Sequence, residues 1–185
     1  MNNPIVFIID TVFDVVCILF LARFILQASR ADFYNPISQG IVKATDPVLR
    51  PLRMLIPGFR NLDFAAFFAA WIIKILAHTL SIGIQSQFMP GALVLIGFGL
   101  FETLQLLLSV YWWALIGVIV LSFLSPGTYH PGTALLAQVT EPILAPARKL
   151  IPPFSGLDFS PILIFLMLNL VREYLLPAIF TSLLT

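Results

Sequence analysis

One stretch of this chain occurs twice, and the recurrence constrains the fold more than any other feature. Residues 45–64 read Thr-Asp-Pro-Val-Leu-Arg-Pro-Leu-Arg-Met-Leu-Ile-Pro-Gly-Phe-Arg-Asn-Leu-Asp-Phe. Residues 140–159 read Thr-Glu-Pro-Ile-Leu-Ala-Pro-Ala-Arg-Lys-Leu-Ile-Pro-Pro-Phe-Ser-Gly-Leu-Asp-Phe, at a constant spacing of 95 residues and without a gap. Pro47/Pro142, Pro51/Pro146, Arg53/Arg148, Pro57/Pro152 and Asp63/Asp158 are identical pairs, and Tyr34/Tyr129 and Pro36/Pro131 extend the match upstream. A repeat of this density is a duplication, so the chain divides into residues 1–90 and 91–185, two copies of one unit.

The medium of the fold follows from composition. Of 185 residues, 59% are hydrophobic and 10% charged, where a soluble domain carries roughly 25% charged residues. Mean hydropathy is +1.00. The apolar residues form four blocks, about 4–27, 64–84, 100–122 and 160–184. Each is long enough for a helix to cross ~30 Å of hydrocarbon. The expected fold is an all-α membrane protein with four transmembrane helices, two per repeat, each pair joined by a long amphipathic connector kinked by proline. Residues 91–99, with three glycines, are expected to form a lead-in, a tilted extension or a break before the third span. The first block has no Lys or Arg before it, and Asp10 and Asp14 interrupt it, so a cleaved signal is not expected.

Basic residues set the expected orientation. Arg30, Lys43, Arg50, Arg53 and Arg60 lie in the first connector, and Arg148 and Lys149 in the second. The remaining short segments carry none, which places both connectors in the cytoplasm and both termini in the periplasm. Both copies then insert with the same orientation.

The connectors keep a helical apolar period. In the first, Ile37, Ile41, Val42, Val48, Leu49, Leu52, Leu55 and Ile56 share one face, opposite Lys43, Asp46, Arg50 and Arg53. Such a helix lies in the interface, with acyl chains under one side and phosphates near the other. Pro47 and Pro142 suit a helix start behind an acidic cap, Pro51 and Pro146 a kink, and Pro57 and Pro152 an end. Arg53 and Arg148 are candidates to bind lipid phosphate or to pair with Asp63 and Asp158.

A second candidate set lies within the spans. Asp10 and Asp14 share one helical face, as do Lys74 and His78, at a spacing of four residues. With antiparallel neighbouring helices the two pairs can meet, and ionisable groups at membrane depth default to function. Glu102 is a further candidate among these intramembrane charges, although both it and Arg23 lie near block ends and can snorkel toward the interface. None of these charges recurs at its repeat mate, which favours a surface role over a pore. Two histidines and one cysteine supply no zinc cluster, and no phosphate loop or nucleophile elbow is present, so no enzyme activity, cofactor or metal is expected. The scattered basic residues give no nucleic-acid footprint. Expected partners are membrane lipids and a membrane protein or further copies of the chain.

The doubled Asp/Glu-Pro-x-Leu-x-Pro-x-Arg-x-Leu-Ile-Pro segment, followed by Leu-Asp-Phe, resembles the YggT family, called YlmG in some lineages. The likeness covers essentially the whole chain and its tandem bacterial form. It departs at Ala65-Ala66, where the second copy has Ser160-Pro161. The resemblance implies a multi-pass protein of the bacterial inner membrane, a scaffold or assembly factor with a role in osmotic-stress tolerance and envelope homeostasis. It also admits a small potassium-transport-related subunit, or a cytochrome or haem-protein assembly factor.

Overall fold

The computed structural model describes residues 3–85, 88–124, 130–151 and 158–184. Among them the order is α1 (Pro4–Ala28), α2 (Pro36–Leu55), α3 (Phe64–Gln85), α4 (Ala92–Leu124), α5 (Pro131–Leu150), α6 (Ser160–Leu170), a π-helical turn (Val171–Leu175) and α7 (Leu176–Leu184). Four helical stretches are long and apolar enough to cross a membrane: Pro4–Ala28, Phe64–Gln85, Ala92–Leu121 and Ser160–Ser182. Membership of the multi-pass membrane class rests on them.

The third span differs from the expected boundary. Residues 92–99 are helix, continuous with the rest of α4 over 33 residues. Gly97 and Gly99 interrupt nothing, because a helix packed on a neighbour tolerates glycine where it lets backbones approach. A Cβ on Gly99 would meet the Ile75 backbone nitrogen at 3.2 Å, so this glycine sets how closely α3 and α4 come together.

Small residues also bring α1 against α3. Ala65, Ala66, Ala69 and Ala70 form a buried stripe facing Phe20 and Leu21, and Leu49 from α2 completes that core. Cys17, fully buried, donates its thiol to the Ala70 carbonyl at 3.4 Å. With no hydrophobic drive between helices in lipid, close van der Waals contact over small side chains carries the association. A second core joins Ile25, Leu26 and Ala31 to Ala114 of α4 and Leu135 and Val139 of α5. Helix α1 therefore belongs to both cores and ties the two halves of the chain together.

The connector helices start earlier than the prolines suggest. Asn35 caps α2 by accepting the Ile37 amide at 2.9 Å, with Pro36 in the first turn. His130 does the same for α5 through Nδ1 and the Gly132 amide at 3.1 Å, with Pro131 in the first turn. Both helices then run unbroken through Pro47 and Pro51, and through Pro142 and Pro146. Neither helix starts at the first proline of its pair, and both continue through the second. All four prolines lie on the exposed side. The carbonyls they leave unpaired four residues earlier share that side, where they stay accessible rather than being sealed in the core, and the helix goes on. The ends do match expectation at Ile56 and Ile151. Their φ/ψ of −122/90° and −124/93° leave the helix, as a residue before proline must. Pro57 is exposed and Pro152 lies outside the described residues.

The fourth span contains the π turn, and Pro177 explains it. Proline offers no amide to the carbonyls one turn back, and Leu176 donates to Val171 instead of to Arg172. The orphaned Arg172 carbonyl is filled from α4 by Gln105 Nε2 at 2.8 Å. Gln105→Leu should therefore lower the thermal midpoint in detergent, costing about 1–3 kcal/mol for an unsatisfied carbonyl. Adding Pro177→Ala, which restores an amide, should recover most of the loss. A neutral Gln105→Leu would show that the bond contributes nothing.

Candidate functional site

Two constellations of charge occur, one where the connectors meet the spans and one within the spans. The first is a latch made twice. Asp63 precedes α3, is 1% exposed, and accepts the Ala66 amide at 3.3 Å as the helix cap. Its other oxygen receives Arg53 Nη2 at 2.5 Å from the last turn of α2, and Arg53 Nη1 stands 3.7 Å from Asp46. In the second copy Asp158 accepts the Ser160 amide at 2.9 Å and the Ser160 hydroxyl. Arg148 Nε donates to its other oxygen at 2.9 Å, and Arg148 Nη1 bonds both oxygens of Glu141 at 2.8 Å. Asp46/Glu141, Arg53/Arg148 and Asp63/Asp158 are thus equivalent triads, acid–guanidinium–acid, at the repeat spacing.

Of the two roles open to Arg53 and Arg148, the structure shows pairing with Asp63 and Asp158. In each copy one carboxylate takes an amide at the start of the following helix, Asp63 as its N-cap and Asp158 from one residue before the N-cap, and also pairs with arginine, so the end of each connector is fastened to the start of the span that follows. Arg60 at φ 53° and the Phe59–Leu62 bridge complete the tight turn in the first copy; residues 152–157 lie outside the described residues. The copies differ in setting. Asp63 is buried and Asp158 about one-third exposed at its side chain. The Ser160 hydroxyl and amide, then Arg148, hold the Asp158 carboxyl below the usual aspartate range, and the Asp158 and Glu141 bonds push the Arg148 guanidinium up.

Ala65-Ala66 and Ser160-Pro161 are two solutions at one position. Ser160, fully buried, strengthens the cap, with Pro161 in the first turn. Ala65 and Ala66, equally buried, serve helix packing instead. Thr45 and Thr140, at 1% and 0% exposure, are repeat mates that the charge pattern hid. Each returns its hydroxyl to a carbonyl four residues back, Ile41 at 2.7 Å and Leu136 at 2.8 Å. With Leu49 and Leu144 they form the inner side of each connector, so part of the face read as lipid-directed is packed on protein.

The second constellation gathers the intramembrane charges. Lys74 Nζ lies 2.6 Å from Asp14 and 3.6 Å from Glu102, and His78 Nδ1 lies 3.2 Å from Glu102. Ser81 donates to Asp10 at 2.6 Å, and His78 stacks on Phe98. The expected meeting of the Asp10/Asp14 face with the Lys74/His78 face occurs. Glu102 does not snorkel from a helix end. Because α4 begins at Ala92, Glu102 lies about 15 Å along the helix and bridges both basic groups. Asp10, Asp14, Lys74, His78, Ser81 and Glu102 line a cavity of about 390 Å³. Lys74 is 9% exposed and answered on two sides, which is how a charge survives in low dielectric. Among the described residues no group of three His, Cys, Asp or Glu side chains is placed to hold a metal ion.

Comparison with known proteins places this arrangement. The CCB3/YggT family model matches the chain twice, over residues 2–84 and 98–179. The chain is 41% identical over 172 residues to an uncharacterised protein of Pseudomonas aeruginosa, covering 92% of this chain and 87% of that one. It is 39% identical over 168 residues to an uncharacterised protein of Vibrio alginolyticus, covering 89% of each. It is 32% identical over 175 residues to the uncharacterised protein YggT of Escherichia coli K12, covering 92% and 88%. No solved structure matches the chain significantly.

Proposed function

The chain belongs to the CCB3/YggT family, and on that premise we propose that it is a scaffold of the bacterial inner membrane. In this reading it holds two rigid connector helices at the cytoplasmic surface, with both termini periplasmic, in support of osmotic-stress tolerance and envelope homeostasis. One observation carries the reading. Leu55 and Leu150, repeat mates at the ends of the latched helices, are 83% and 76% exposed. The latches hold an apolar residue outward at the same place in both copies, and Met54 enlarges the first patch at 84% exposure. An apolar patch fixed against a charged triad suits acyl chains or a membrane-protein partner, a further copy of the chain included. The reading assigns no catalytic step and no cofactor.

The test charges the patch without touching the core. Leu55→Glu with Leu150→Glu should leave the protein at normal level in the membrane, because neither side chain is packed. It should fail to restore growth at high osmolarity to a strain lacking the chain, where the wild type succeeds. Full complementation by the double variant refutes the role of the patch.

The charged cavity favours a second reading, a small cation-transport-related subunit. Three carboxylates face one lysine and one histidine there, an excess that attracts cations or protons. Asp14→Asn with Lys74→Met, which neutralises a paired acid and base together, should abolish K⁺ flux in vesicles if the cavity conducts. A scaffold complements growth unchanged by that substitution.

A further inference from the structure

Arg23 lies beside the first triad without forming an ion pair in it. It lies five residues before the end of α1 and is 8% exposed. The snorkelling open to it does not occur: its Nε and Nη1 are buried and donate to nothing. Its guanidinium carbon sits 4.9 Å from the centre of the Phe33 ring, which orients the charge by cation–π attraction but accepts none of its in-plane N–H bonds. A buried guanidinium with unmet donors is among the more unfavourable arrangements a fold can contain.

The group opens on a cavity of about 620 Å³ between α1 and α2, lined also by Phe33, Lys43, Asp46 and Arg50. Three cations face one carboxylate. Asp46 does not answer Arg23, because its Oδ2 takes Arg50 at 3.2 Å and its Oδ1 is 3.7 Å from Arg53. The latter lies beyond hydrogen-bond reach, which leaves Asp46 Oδ1 a buried acceptor without a bond. Arg23 and Asp46, the side chains that carry two unmet donors and one unmet acceptor, thus both line one cavity. Its volume is many times the ~30 Å³ of one water. It opens where the first membrane-length helix ends and a connector helix crosses its end.

We propose that this cavity binds the headgroup of a phosphodiester lipid whose polar end carries a hydrogen-bond donor, an ethanolamine ammonium or a glycerol hydroxyl. The phosphate oxygens take the planar fork of Arg23, Lys43 and Arg50 add charge at the rim, and the terminal donor reaches Asp46 Oδ1. Phosphatidylcholine offers the same phosphate with no terminal donor, and inorganic phosphate offers it with no acyl chain. The site extends the scaffold reading by naming lipid chemistry, and its failure is separable, because the Leu55/Leu150 variants are read by growth and this site by binding.

The full-length chain, purified and delipidated in detergent, is titrated with phosphatidylethanolamine, phosphatidylglycerol, phosphatidylcholine and inorganic phosphate, and bound lipid is counted by native mass spectrometry. The expected result is one phosphatidylethanolamine or phosphatidylglycerol per chain, held at least tenfold more tightly than phosphatidylcholine. Arg23→Gln should weaken binding tenfold or more, and Asp46→Asn should remove the discrimination against phosphatidylcholine. Lys43→Gln with Arg50→Gln alters exposed side chains, so it keeps the fold and decides the matter if Arg23→Gln does not assemble; a several-fold loss is expected. Unchanged binding in that double variant overturns the proposal, and so does inorganic phosphate binding as tightly as the lipids.

Discussion

Asp63→Ala should lower the thermal midpoint far more than Asp158→Ala, although the two residues hold the same place in the repeat. Asp63 is 1% exposed and carries both the α3 cap and the Arg53 pair. Removing it strands a guanidinium that is itself about two-thirds buried, and breaking a buried pair from one side costs about 3–5 kcal/mol. Asp158 is about one-third exposed at its side chain. Water, Glu141 and the Ser160 hydroxyl share its work, so the pair is worth about 1 kcal/mol or less, plus ~1 kcal/mol for the cap. Thermal unfolding of each variant in one detergent checks the contrast, and equal losses would show that burial does not set latch strength. The depressed Asp158 contributes stability that is fully present above the ordinary aspartate range and lost as pH falls through its lowered value. The second latch is thus expected to loosen only in strong acid.

Lys74→Met should be the most damaging single substitution within the spans. It takes from Asp14 and Glu102 the ammonium group they share, leaving only the His78 imidazole beside Glu102. Asp14 and Glu102 are 40% and 32% exposed at their side chains, but an unpaired charge at the depth of a span costs about 2.5–3.5 kcal/mol, a large share of a marginal fold's stability. Combining Lys74→Met with Asp14→Asn and Glu102→Gln removes the stranded charges, and the triple variant should recover most of the loss. Strict additivity across this cycle would deny that the three side chains act as one network. The outcome bears on both functional readings, because a network needed only for stability recovers fully in the triple variant. A conducting one recovers its fold without recovering flux.

Much of this was legible in the chain. Membrane-length helices follow from block length against bilayer thickness, a one-dimensional condition that needs no knowledge of neighbours. The pairing of Arg53 with Asp63 and of Arg148 with Asp158 was one of two open roles, and the short spacing of ten residues across a turn made it reachable. The meeting of Asp14 with Lys74 followed from two i,i+4 faces on adjacent antiparallel helices. Glu102 was a candidate charge whose depth was misplaced, because three glycines moved the expected start of the third span to residue 100. Local propensity then yielded to packing, with Gly99 seated against Ile75. Pro47 and Pro142, read as helix starts, misled in a similar way. Their local cost is real, but its sign for the helix depends on which side the freed carbonyls face.

By itself, then, the sequence determined the class of solvent, the number of spans, the duplication and the two sets of charges available for use. These depend on composition, periodicity and spacing along one chain. Tertiary structure alone decided that Leu49 and Thr45 turn inward while Leu55 stays out, that Asp63 is buried where Asp158 is not, and that Arg23 keeps two unmet donors. Those outcomes depend on how closely α1, α2 and α3 approach, and that distance is set by the stripe of alanines between them. Burial belongs to a set of helices in contact, and no single stretch of residues carries it.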